Sequence, residues 1–168
     1  MAVTHGKQFE QVVRESFEKV YGASVDRIPD QTTRYKGSTN ICDFIVYQFP
    51  TLFYIECKTI HGNTFPLTNI RPNQWTGLLE KSKIQGVVAG VIVWWIDHDV
   101  TRFLPIAELA VLGKKGQKSI RYDMKDPFFI DVLGTKKKVY FDYHMKPFLQ
   151  HFGVGIEVEM GGQYALRS

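Results

Sequence analysis

Residues 87–96 read VVAGVIVWWI, ten positions with no charged or strongly polar side chain. A helix crossing a bilayer needs roughly twenty such residues, so this run is too short to span one. A strand with one wet face would alternate apolar and polar residues, and this run does not. It is predicted to be a central strand covered on both sides, which requires an α/β architecture with helices packed above and below a mixed sheet. The chain has 168 residues, 44% hydrophobic and 23% charged. Those values suit one domain over 1–168 and exclude disordered, collagen-like and fibrous-repeat chains. With only Cys42 and Cys57 present, a disulfide scaffold is excluded and a reducing, cytoplasmic setting is expected. The N-terminal MAVTHGKQFEQVV lacks a basic segment followed by an apolar core, so no secretory leader and no membrane partner are expected.

Periodicity places the remaining elements. Phe9, Val12, Val13, Phe17 and Val20 share one face of a helix over 6–21, with Thr4 positioned to cap it and Gly22 to end it. Residues 24–40 read as a short strand and then a loop. Runs 41–49 and 51–60 are rich in aromatic and β-branched residues and read as a hairpin turning at Pro50, apolar on both faces. Residues 61–74 read as loop, with Pro72 opening a helix to about residue 83. Residues 100–104 are expected to pair with the 86–97 strand across a turn capped by Asp97 and Asp99. A short helix over 106–112, a strand over 139–143, a helix over 145–152 and a frayed tail over 161–168 complete the reading.

Charge is unevenly spread. Lys and Arg number 21 against 17 Asp and Glu, a net +4. Residues 113–138 alone hold eight basic and three acidic residues, so the rest of the chain is near neutral. Lys114, Lys115, Lys118 and Arg121, with the 136–138 lysines, suit contact with a nucleic-acid backbone, and a loop charged for solubility is the competing reading. Arg34 and Lys36, in the loop before Asp43, stand open between phosphate contact and plain solvation. His61, His98, His144 and His151 lack zinc-ligand spacing and read as surface or structural residues. Trp75, Trp94 and Trp95 read as core or interface.

The segment CDFIVYQFPTLFYIECKT carries the chemistry. If the chain reverses tightly at Phe49-Pro50, facing residues have numbers that add to 99, and Asp43 faces Glu56. Pro fits the third position of such a turn only with a cis bond. Like charges directly opposite one another destabilise a sheet, and burial among aliphatic residues adds to the cost. A hard divalent cation between them, Mg²⁺ or Mn²⁺, removes the conflict. Lys58, two residues after Glu56, falls on the same face. Two carboxylates, a metal and an ammonium suit phosphodiester hydrolysis. The competing reading is a strand-end Asp43 and a solvated Glu56–Lys58 pair. Cys42 and Cys57, also adding to 99, are expected to face away from the metal into the core, close enough in geometry for a disulfide that a reducing compartment disfavours.

An Asp, a hairpin and then Glu-x-Lys resemble the PD-(D/E)xK nuclease superfamily. The adjoining IECKTIHGNTFPLTNIRPNQ is similar to the segment after the catalytic strand in RecU-type Holliday junction resolvases, and GKKGQKSIR resembles a later stretch of that family. The resemblance covers residues 5 to 125 and is strongest over 53–74. It implies a restriction-endonuclease-like core and an Mg²⁺-dependent homodimeric endonuclease that nicks two opposed strands of a four-way junction. It implies Asp43 and Glu56 as metal ligands with the Cys57 carbonyl as a third, Lys58 as the catalytic lysine, Gln74 holding water or the lysine, and Glu10 completing the acidic set. The family's long projection before the catalytic Asp is missing, since only residues 22–42 fill that interval, as a phage-encoded short form would have it. Two other functions remain in view: a related nuclease cutting duplex or flapped DNA, and a non-cleaving DNA-binding protein of the same fold.

Overall fold

The computed structural model describes residues 5–29 and 40–153. Helix α1 (His5–Glu18) leads into β1 (Ser24–Arg27), β2 (Phe44–Gln48) and β3 (Thr51–Ile60). The chain continues through β4 (Thr64–Pro66), a 3₁₀ turn, α2 (Pro72–Ser82), β5 (Val87–Trp95), β6 (Val100–Pro105) and α3 (Ile106–Lys114). Short strands β7 (Ser119–Arg121), β8 (Ile130–Asp131), β9 (Gly134–Lys136) and β10 (Phe141–Tyr143) precede α4 (Met145–His151). The main sheet runs β1-β2-β3-β5-β6-β8. Only the β3–β5 pair is parallel, so the sheet is mixed, as expected. Among the described residues no helix is long and apolar enough to cross a membrane.

The apolar run does become a strand buried on both sides. Ile92 and Trp94 of β5 join Phe9, Val13 and Phe17 of α1 and Phe148 and Leu149 of α4 in one layer. Val91, Val93 and Trp95 join Leu78 of α2 and Ile106 and Leu109 of α3 in the other. Trp94 lies 5.6 Å from Phe9 and Trp95 6.4 Å from Phe65, centroid to centroid, so both indoles are core. Each such fully buried side chain contributes roughly 1.5–3 kcal/mol. Gly90 is needed where β6 crosses closely: a Cβ there would sit 2.5 Å from the Leu104 carbonyl oxygen and 2.6 Å from the Phe103 ring.

The β2–β3 register is the one read from the sequence, from Phe44↔Ile55 to Gln48↔Thr51, and the Phe49-Pro50 bond is cis. Three expectations change. The 61–74 stretch is more than loop, because β4 pairs antiparallel with β7 in a two-stranded ribbon. The basic 113–138 segment likewise carries β7, β8 and β9. The two cysteines do not face one another: Cys42 is buried with the α2–α3 layer and Cys57 packs against the α1 layer, both as free thiols. The ladder stops at Phe44, so the pairing rule no longer governs residue 42. The Thr4 cap, Arg34, Lys36 and the 161–168 tail lie outside the described residues.

Candidate active site

Strand β3 is longer than its hairpin partner. Beyond Ile55 its edge toward β2 has no ladder partner, and Asp43 occupies that edge. The Asp43 amide donates to the Ile55 carbonyl at 3.0 Å, and its own carbonyl accepts from Ile28 at 2.9 Å. Its side-chain Oδ2 accepts the Cys57 N–H at 2.7 Å. The carboxylate thus stands where a neighbouring strand's carbonyl would otherwise be. In a strand the N–H and C=O of one residue leave on the same side, so the Cys57 carbonyl faces this edge too.

Glu56 is 3% exposed. Its Oε1 accepts from Gln74 Nε2 at 2.7 Å and pairs with Lys58 Nζ at 2.6 Å. Its Oε2 is buried and has no hydrogen-bond partner. Gln74 comes from α2, which begins with Pro72 at its first position, where the missing N–H costs nothing. Gln74 Oε1 accepts the Arg71 N–H at 3.2 Å, so one amide both caps the helix and fixes Glu56. Asn73 Nδ2 donates to the Asn40 carbonyl at 3.0 Å, tying the same helix turn to the segment entering Asp43.

Burial pushes the Asp43 carboxyl up to about 8, with the Glu56 charge adding to it and the Cys57 amide opposing it. Burial also raises Glu56, against the pull of Lys58, Gln74 and Arg71. The Cys42 thiol is pushed up to about 12 by burial and then by the two carboxylates, and Cys57 is raised for the same reasons. Burial and the neighbouring carboxylates thus both disfavour the thiolate form. Two carboxylates resist ionisation side by side, and one buried oxygen is unpartnered. This geometry fits a hard cation. Among the described residues no three His, Cys, Asp or Glu side chains converge on one ion. Two carboxylates and a backbone carbonyl suit Mg²⁺, which commonly takes one or two carboxylates and fills its octahedron with water and substrate oxygens.

The other predicted residues divide. Glu10, on α1, pairs with Arg27 at 3.1 Å. It reaches Asp43 through its field, which raises that carboxyl further, and makes no hydrogen bond to the site. Lys114 and Lys115 are exposed at the end of α3, and Lys118 is exposed just before β7. Arg121 pairs with Asp123 at 2.6 Å. Through the β4–β7 ribbon and a bond from the Leu67 amide to the Lys118 carbonyl at 3.0 Å, this basic turn is fastened to the chain leaving β3. His61 pairs with Asp97 at 2.9 Å and His98 with Asn63 at 2.7 Å, which matches a structural role for both. A cavity of about 360 Å³ beside β6, β8 and β10 includes none of the site residues. Sequence reasoning missed Arg27 and Arg71. Arg71 stands three residues before Gln74, the spacing that links a helix cap to the third helical residue, and that was the available signal.

No protein-family model and no curated protein matches the chain. Among solved structures, one described as Hjc, a Holliday junction resolvase from the archaeal hyperthermophile Archaeoglobus fulgidus, is similar in fold. The TM-score is 0.51 at 18% identity, over 75% of this chain and 95% of that one. The chain thus has a restriction-endonuclease-like α/β fold, a mixed sheet flanked by helices.

Proposed function

We propose that the chain is a metal-dependent endonuclease that resolves four-way DNA junctions, working as a homodimer in a cytoplasm. The observation that carries this reading is the Asp43–Glu56 pair at the open edge of β3, with Glu56 Oε2 buried and unpartnered. A protein that only bound DNA has no use for two mutually repelling carboxylates that cost stability. The substrate class is supported by the fold shared with a protein described as a junction resolvase, by the resemblance over 53–74, and by the basic turn fastened to β4 and Leu67.

Asp43, Glu56 and the Cys57 carbonyl would hold Mg²⁺, with Mn²⁺ as substitute. When bound, the ion supplies charge for the phosphate and lowers the pKa of a water. The remaining work falls to the chain. Gln74 holds Glu56 by Oε1 and leaves the buried Oε2 without a partner, free for the ion. Lys58, anchored on Glu56, orients the attacking water and offsets charge at the pentavalent phosphorus. The ends expected are 5′-phosphate and 3′-hydroxyl, as the resemblance implies.

The test uses a labelled synthetic four-way junction and the matching linear duplex, with Mg²⁺ or EDTA, for wild type and Asp43→Asn. Paired symmetric nicks on the junction alone, dependent on metal and lost in the variant, are expected. Equal cutting of duplex would keep the chemistry and remove the substrate assignment. Tight binding without cutting in Mg²⁺ or Mn²⁺ would leave a binding protein.

A further inference from the structure

The described arginines differ in one respect. Arg14 pairs with Glu18, Arg27 with Glu10, Arg102 with Asp131 and Arg121 with Asp123. Arg71 alone among them has no carboxylate partner, and it is exposed. It is also placed with care. Its amide is bonded to Gln74, and Gln74 is bonded to Glu56, so two hydrogen bonds separate the Arg71 backbone from the buried carboxylate. A guanidinium fixed at its root, exposed at its tip and unclaimed by any acid is suited to a ligand that brings its own negative charge. Two parallel N–H donors match the non-bridging oxygens of a phosphodiester.

We propose that Arg71 is a substrate ligand of this site, gripping the phosphodiester beside Lys58. The proposal rests on the nuclease reading above. Gln74 then has a third task, since the same amide that orients Glu56 also sets where the guanidinium begins. Gln74 joins Arg71 at the head of α2 to Glu56 on β3, so grip and hydrolysis share one anchor.

The experiment measures junction affinity by fluorescence polarisation in EDTA across a salt series, and single-turnover cleavage in Mg²⁺, for wild type, Arg71→Ala and Arg71→Lys. The Ala side chain leaves the backbone bond to Gln74 in place, and an unchanged thermal melt checks that the fold is intact. Arg71→Ala is expected to weaken binding about tenfold and to reduce the slope of log affinity against log salt by about one. Its cleavage rate at saturation falls as well. Arg71→Lys restores the salt slope, because the charge returns, but only part of the rate, because the paired donors do not. Unchanged affinity, slope and rate in Arg71→Ala, with wild type active, would overturn the proposal and leave the nuclease reading standing. A slower rate with an unchanged salt slope would also overturn it, since Arg71 would then act only through Glu56. A wild type that neither binds nor cuts DNA sinks both.

Discussion

Burial, with the Glu56 charge adding to it, pushes the Asp43 carboxyl up to about 8 in the fold, from an ordinary value near 3.8. Between those values the folded state binds the extra proton, so stability falls as pH rises across that window. Urea denaturation in EDTA at pH 5 and pH 8.5 is expected to show that fall in wild type. Asp43→Asn removes most of it, raises stability at pH 8.5 by about 1 kcal/mol, and abolishes cleavage. An equal fall in both proteins would place the titrating group elsewhere. Asp43, Glu56 and Lys58 were legible in the sequence because they interrupt apolar runs, where polar residues need a reason. Arg27 and Arg71 were not, because their significance depends on where β1 and α2 come to rest. The cysteines were misplaced for a related reason, since pairing arithmetic holds only as far as the ladder does.

Helix α2 is the element on which the site depends. Its Gly77 lies against Ile41, two residues before Asp43, and a Cβ at that position would come 2.7 Å from the Ile41 Cβ. Gly77→Ala therefore forces the helix and the Asp43 segment apart. A loss of roughly 1–3 kcal/mol is expected from the overpacking, with slower cleavage because Gln74 rides on the same helix. Melting temperature and single-turnover rate check the two effects, and an unchanged rate would show that α2 does not position the site. Gln74→Ala is expected to cost about 1–2 kcal/mol by freeing the Arg71 amide and removing one of the two donors to Glu56 Oε1, and calorimetry reads it directly. The hairpin was readable in detail because a Pro-marked turn and two-sided apolar runs agree on one register. The β4–β7 ribbon was not, because strands of three residues complete too few alternations to show a period.

For the molecule as a whole, the two apolar layers followed from a single unbroken run, while the direction of its charge did not. Net charge says that an anionic partner is tolerated; only the folded chain ties the turn bearing Lys114, Lys115 and Lys118 to β4 and Leu67, the segment that follows β3. Replacing all three by Ala is expected to lower junction affinity and flatten its salt dependence by roughly three counterions, with the saturated cleavage rate unchanged. A changed rate at saturation would give these lysines a part in the chemistry itself. The ribbon also has a bearing on descent. The turn before β7 is exposed and glycine-bearing, the kind of site where length and composition drift at little cost. Its far end hangs on Leu67 by backbone alone, so any residue can take the place of Lys118 there. Under the proposed function, such a turn can be rewritten to suit a new DNA shape while β3 is inherited unaltered.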